Sequence, residues 1–357
     1  MTEKLKNLMD TAADLDFDAV DLAAVMDSGD RVVRRRRIGL VGGVAALAVV
    51  VGGIALAAGG SDEAADRAPY TGAPANEVTW AVGTRILTSG SSIEVGHVVH
   101  SFVRTGTGFV VADDAGEVWS VARGTVTSIG RVDPRTARLA ADVETSVVGW
   151  REPDGAGARW VAYDQAAGRR VLSRAIDQPS DDADVVAVDQ RSLYVHNRGW
   201  DVLDVDGNDV WKVGPPAPGG ELMAVEDDVM VWSTGEAYVV ERAGDGAVEI
   251  GDPAGTTAVL SPDGRRVSFD ADELRVHNVA TGDEERIDVD GRSFAAGFEW
   301  LGNDTLAVIA SRDGSMAELL ACTVSSGRCR EVVADVGTFD ELTEGSFALP
   351  VGEPVED

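Results

Sequence analysis

The chain has 357 residues, 31 Lys+Arg against 61 Asp+Glu, and a formal net charge of −30. A nucleic-acid binder is excluded, because neutralising phosphates requires a surplus of Lys and Arg. Wholesale disorder is excluded by the 44% apolar content, and a disulfide-dense scaffold or a four-cysteine zinc site by the two cysteines.

The N-terminal 37 residues read as a short cytoplasmic tail. Leu5, Leu8, Met9, Ala12 and Ala13 form one apolar stripe at helical spacing. Phe17, Val20, Leu22, Val25 and Met26 form a second apolar group, which ends near Gly29. Two helices this short bury little alone, so residues 1–30 are either a docking peptide for a cytoplasmic regulator such as a sigma factor or a partnerless membrane-proximal segment. The tail has neither His nor Cys, so a zinc-binding regulator of the anti-sigma type would lack its ligands.

Ile38 to Ala58 contains no charged and no strongly polar residue. At ~1.5 Å per residue this run spans about 31 Å, the thickness of a bilayer core. Arg31, Arg34, Arg35, Arg36 and Arg37 precede it, and Asp62 and Glu63 follow. By the positive-inside rule the N-terminus lies in the cytoplasm and the rest outside, anchored in the plasma membrane by a single span. A cleaved signal peptide is the alternative, since Ala55-Leu56-Ala57 fits a small-x-small site. The apolar run and the segment before it are both long for that reading.

Residues 1–37 carry seven of the basic and eight of the acidic groups, which leaves 24 and 53 for the remainder, a net of −29. Residues 59–76, rich in Ala, Gly, Asp and Pro, read as a flexible linker.

Beyond the linker, short β-rich runs alternate with Gly and Asp turns. One unit recurs, and its third strands align as Glu117–Val121, Arg159–Tyr163, Val202–Val205, Ala237–Val240, Leu274–His277 and Leu319–Cys322. A glycine follows each: Gly124, Gly168, Gly207, Gly246, Gly282 and Gly327, about 41 residues apart on average. The second strands align as Gly108–Val111, Ser146–Gly149, Ser192–Val195, Asp228–Val231, Arg266–Phe269 and Thr305–Val308. Four strands per forty residues or so is the period of a β-propeller blade, in which sheets that cannot bury both faces alone pack around an axis. Three leftover strands near Val78–Val82, Arg85–Thr88 and Ser92–Val95, with one near Ser346–Val351, would complete a seventh blade. The expected fold is therefore all-β, a propeller of seven four-stranded blades over residues 77–351, with 352–357 a disordered end. Six blades and an extra hairpin are the alternative.

Ser261-Pro262-Asp263-Gly264 resembles the signature of the WD40-like repeat of TolB-type propellers. In that family the Pro-Asp-Gly turn joins the first two strands of a blade, with Pro fixing φ and Gly supplying φ > 0. The Gly-His to Trp-Asp pairing of true WD40 repeats is not found in the sequence; Trp200-Asp201 opens its strand.

Cys322 and Cys329 flank a turn centred on Ser325-Ser326, so that they face each other across a hairpin at disulfide distance. An oxidised pair requires an extracytoplasmic setting. His97 and His100 read as surface or blade residues. Asp204-Val-Asp206-Gly207-Asn-Asp209 reads as a hairpin turn in place of a calcium loop, because the distal Glu is absent. Trp119, Trp160 and Trp200, spaced at the blade period, read as packing residues. No hydrolase elbow, phosphate loop or zinc-protease motif occurs, and no cofactor or metal is expected. The expectation is thus a non-enzymatic, membrane-anchored propeller that binds an extracytoplasmic protein or ligand. Signalling through the tail is one alternative. A hydrolase with paired carboxylates is another.

Overall fold

The computed structural model describes residues 76–354, apart from 143–144, 207–208, 243–245, 252–256 and 271–273. The tail, the Ile38–Ala58 run, Arg31, Arg34, Arg35, Arg36, Arg37 and all but the last residue of the linker lie outside the described residues. Among the described residues no helix is long and apolar enough to cross a membrane.

Twenty-eight strands among the described residues form seven four-stranded antiparallel sheets, so the seven-bladed count holds. Blade 1 takes β1 (Thr79–Val82), β2 (Arg85–Thr88) and β3 (Ser92–Glu94) from one end of the ring and β28 (Phe347–Ala348) from the other. Its order is β28-β1-β2-β3. Blade 2 is β4 (Val99–Thr105), β5 (Gly108–Asp113), β6 (Glu117–Ala122) and β7 (Thr125–Arg131). Blade 3 is β8 (Ala140–Asp142), β9 (Val147–Asp154), β10 (Gly157–Asp164) and β11 (Arg169–Ala175). Blade 4 is β12 (Asp184–Asp189), β13 (Ser192–His196), β14 (Trp200–Asp204) and β15 (Val210–Val213). Blade 5 is β16 (Glu221–Glu226), β17 (Val229–Ser233), β18 (Ala237–Arg242) and β19 (Val248–Gly251). Blade 6 is β20 (Ala258–Leu260), β21 (Arg266–Asp270), β22 (Leu274–Asn278) and β23 (Glu284–Glu285). Blade 7 is β24 (Phe294–Trp300), β25 (Thr305–Ser311), β26 (Met316–Thr323) and β27 (Arg328–Thr338).

Seven apolar clusters hold the ring, one between each pair of neighbouring blades. Between blades 2 and 3, Val103 and Val110 meet Val148 and Trp150. Between blades 4 and 5, Val186 and Ala187 meet Leu222 and Trp232. Between blades 7 and 1, Phe298 and Leu319 meet Trp80 and Phe347. A sheet packed on both faces has no solvent side, so β5 is buried along its whole length and reads as a continuous apolar run. Blades diverge toward the rim, and the outermost strands β11 and β15 are mostly exposed.

A short helix α1 (Phe339–Thr343) leads into β28. Thr338 caps it: its hydroxyl accepts the Glu341 N–H at 3.1 Å, and the Glu341 carboxylate accepts the Thr338 N–H at 2.7 Å. That Thr-x-x-Glu capping box was the readable signal for an element the repeat pattern passes over.

Past β28 the chain lies against the inner strand of blade 2 and the start of blade 3. Val351 bridges the inner edge of β4 at Val103. The Gly352 N–H donates to the Phe102 carbonyl at 2.9 Å, and the Gly352 carbonyl accepts the Leu139 N–H at 2.6 Å. The free edge of an innermost strand supplies unpaired backbone groups that recruit this segment.

Candidate functional site

The turns joining first to second and third to fourth strands share one side of the ring, here called the turn face. Ser261, Pro262, Asp263 and Gly264 form such a turn between β20 and β21, as the family resemblance implies. The Ser261 hydroxyl donates to the Asp263 carboxylate at 2.8 Å and accepts the Arg266 N–H at 3.0 Å. The Gly264 N–H closes the turn on the Ser261 carbonyl at 2.8 Å, with φ +57° at Gly264. Arg242, at the end of β18, donates to the Gly264 carbonyl at 3.0 Å and so ties this turn to blade 5.

The same face carries a chain of such ties. Gln165 donates to the Phe109 carbonyl at 2.8 Å and the Ser120 hydroxyl at 2.9 Å, joining blade 3 to blade 2. Thr145 donates to the Gln190 carbonyl at 2.5 Å, joining blades 3 and 4. The Asp189 carboxylate accepts the N–H groups of Asp227 at 3.3 Å and Asp228 at 3.4 Å, joining blades 4 and 5. Arg266 donates to the Asn303 carbonyl at 2.8 Å, joining blades 6 and 7. Burial pushes the Asp189 carboxyl up to about 6, and the nearby charge of Asp142 adds to that, against the two backbone donors.

Arg104 of β4 and Glu299 of β24 form a buried ion pair that reaches from blade 2 to blade 7 across blade 1. Arg104 also donates to the Glu77 carbonyl at 3.2 Å. Burial pushes Glu299 up to about 7, against the pull of Arg104.

On the opposite face, His97 precedes β4 and lies outside it. Its ring stacks on Trp119 with centroids 3.7 Å apart, and Trp119 donates to the Asp113 carboxylate at 2.8 Å. Blade 2 therefore holds a Gly-His and Trp association that sequence reading missed, because Gly96-His97 and Trp119 are separated by two strands. Near the axis, Arg138 pairs with Asp184 at 3.3 Å and with Glu353 at 3.6 Å. Burial works against its charge, and these carboxylates outweigh it, so the guanidinium stays above its ordinary range.

Cys322 and Cys329 are direct cross-strand partners in the β26–β27 hairpin and are disulfide-bonded, with Cα atoms 3.9 Å apart. A 3-10 turn (Val324–Ser326) and Gly327 at φ +64° close the hairpin. Gly124, Gly168 and Gly282 likewise take positive φ, whereas Gly246 does not, and Gly207 lies outside the described residues. Trp160 is buried, and Trp119 and Trp200 are half-buried. Among the described residues no group of three His, Cys, Asp or Glu could hold a metal ion. The exposed apolar surface includes Val210, 39% exposed, and Trp211, 45% exposed, on the outer strand of blade 4.

No protein-family model and no curated protein matches the chain. Solved structures do. The puromycin hydrolase S511A mutant complexed with PGG is 12% identical at TM-score 0.51, covering 73% of this chain and 54% of its own, so this chain spans about half of that enzyme. The mitotic checkpoint complex contains a chain 11% identical at TM-score 0.48, with 78% and 88% covered. The putative TolB from Agrobacterium tumefaciens is 8% identical at TM-score 0.40, with 73% and 89% covered. At these identities the likeness extends to the fold alone.

One expectation is corrected here. The absence of catalytic motifs pointed to a protein that is not an enzyme. The match to a puromycin hydrolase places the same architecture within an enzyme, so neither the fold nor missing motifs make this chain non-enzymatic. A propeller builds its sites from loops of different blades, and such sites leave no contiguous motif.

Proposed function

We propose that the chain is a single-pass plasma-membrane protein whose seven-bladed propeller stands on the extracytoplasmic side and binds a protein or ligand there. The observation that carries this reading is the Cys322–Cys329 disulfide in the β26–β27 hairpin. Disulfides persist in oxidising compartments. The uncharged Ile38–Ala58 run behind a cluster of arginines supports the same orientation. The exposed Val210–Trp211 edge supports a binding role, since tryptophan is enriched at binding hot spots.

The test is protease accessibility on intact cells, combined with thiol labelling after denaturation. The propeller should be cleaved without lysis, and both cysteines should be blocked until reduced. Protection until lysis, or two free thiols in cells, would overturn the location. A pull-down with the full chain and its Trp211→Ser variant then addresses the partner.

A further inference from the structure

We infer that β15 is a strand-addition site: an extended basic segment of a partner protein pairs with its free edge and lays alternate Arg or Lys side chains on Trp211, between Asp209 and the carboxylates of Glu241 and Glu249. This surface deepens the binding role proposed above by naming the partner's chemistry; it rests on that role and not on the compartment of the propeller.

β15 is the outermost strand of blade 4. Its inner side pairs with β14 in unbroken register, and among the described residues no main-chain hydrogen bond leaves its outer side. Such an edge is a template for another strand, and folds normally blunt it. The other outer strands are blunted. β3 and β23 have only three and two residues. β7, β11 and β27 are bulged. β19 keeps a regular register but exposes no large apolar side chain. β15 instead presents Val210 and Trp211, two of the four large apolar side chains exposed among the described residues. Its Lys212 lies opposite Asp201, which offsets the charge.

The register assigns the partner's chemistry. Cross-strand partners share a face, as do alternate residues. Trp211 and Val213 pair with Val202 and Trp200, on the face of blade 4 turned toward blade 5, where Trp200 meets Trp232 with ring centroids 5.8 Å apart. Asp209 continues this alternation, because the Asp204 N–H donates to its carbonyl at 3.2 Å and extends the register. The facing side of blade 5 carries Glu249 opposite Val239 and Glu241 opposite Met230. The rim between the two blades therefore holds an exposed indole flanked by carboxylates. None of Asp209, Glu241 and Glu249 is ion-paired among the described residues; Arg242, next to Glu241, is turned to Asp227 and the Gly264 carbonyl. A strand added to β15 directs every second side chain into this rim. Arg or Lys there stacks on the indole and meets the carboxylates. The intervening side chains turn toward blade 3 and meet Val210, so they are apolar. Main-chain bonds supply affinity and these side chains specificity. A second copy of a chain of net charge −30 is repelled by the same carboxylates.

The test uses the full purified chain in detergent and a short fluorescent peptide of alternating Arg and Val, which should bind; a peptide with Glu in place of Arg should not. Trp211→Thr keeps a strand-forming residue at an exposed position and removes the ring. It should weaken binding about tenfold, as should Asp209→Lys combined with Glu249→Lys. Asp114→Lys combined with Glu344→Lys makes the same change of net charge at exposed positions outside blades 4 and 5 and should leave affinity within about twofold. Main-chain pairing is read on the unaltered chain. N-methylation of the Arg amides in one peptide and of the Val amides in another blocks opposite edges of the strand, so one should lose binding and the other keep it. No binding of the Arg–Val peptide, unchanged affinity in Trp211→Thr, equal losses in the two charge-reversed variants, or equal binding of the two N-methylated peptides overturns the proposal. So does a concentration-dependent dimer in sedimentation velocity that Trp211→Thr abolishes, which makes a second copy the occupant. The Trp211→Ser pull-down decides the binding role by itself, so that role and this occupant fail separately.

Discussion

Asp189 shows how one side chain can join two blades at a cost. Its carboxylate takes two backbone donors from the Asp227-Asp228 turn, both of whose residues hold positive φ. Non-glycine residues in that region are strained, so the turn depends on the bonds that over-determine it. Asp189 is 5% exposed, and burial raises its carboxyl from 3.8 to about 6. An acid whose folded value lies above its unfolded one binds the proton more tightly when folded. Its ionisation therefore removes stability as pH rises from about 4 to about 6, on the order of 3 kcal/mol, with no further change above that window. Asp189→Asn keeps an acceptor oxygen and removes the charge. Relative to the parent it should gain stability between pH 4.5 and pH 7.5, read from denaturant midpoints; parallel curves would show that Asp189 pays no such penalty. Gly264 is a second case. With φ +57°, and with Val229 and Arg242 where a Cβ would sit, Gly264→Ala should destabilise by about 1–3 kcal/mol. An unchanged midpoint would contradict the crowding described between blades 5 and 6.

At the scale of elements, the β26–β27 hairpin is the most strongly specified. Its turn is short, Gly327 closes it at positive φ, and Cys322 is fully buried beside Leu306 and Trp300. Closing so short a loop limits the unfolded chain by about 2–3 kcal/mol. The double variant Cys322→Ala, Cys329→Ala should lose about that much, with the parent under reducing conditions falling into line with it. Second and third strands were legible throughout, because Gly108–Val111 or Ala237–Val240 combine apolar runs with turn residues at a fixed period. The closing of blade 1 by β28 was legible too, as three unpaired strands at one end and one at the other. Bulges in the inner strands near Ser101, Ala187 and Ala224 were not, because a one-residue offset leaves no mark on composition. Nor were the ties on the turn face. Gln165, Thr145, Asp189, Arg242 and Arg266 do equivalent work with unlike chemistry, so no repeat reveals them. The Arg138–Glu353 contact escaped for a different reason: its partners are more than two hundred residues apart.

Closing a ring asks more of the molecule than building blades. Blade 1 has no covalent turn between its first two strands, since β28 and β1 come from opposite ends of the propeller and pair at only two positions. The ion pair of Arg104 and Glu299 spans this seam, linking the inner strands of blades 2 and 7 where both side chains are 3% exposed or less. Buried pairs offset their own desolvation only in part, so their net contribution is small, yet removing one partner strands the other charge. The two effects separate in a double-mutant cycle. Arg104→Met alone removes the pull that opposes burial and should destabilise by about 3–5 kcal/mol at pH 8, where Glu299 of the parent is ionised and that of the variant must take up a proton or stand unpaired. It should cost less at pH 6, where Glu299 is already largely protonated in the parent, with its value near 7. Glu299→Met alone leaves Arg104 charged at every pH and should show no such relief. The double variant should recover most of the loss, because an apolar seam between β4 and β24 packs without an unpaired charge. Denaturant melts of the four proteins at both pH values read all of this directly. If the double variant is as unstable as the sum of the singles, the pair does not act as a unit, and closure of the ring rests on the apolar cluster of Trp80, Phe298 and Phe347 alone.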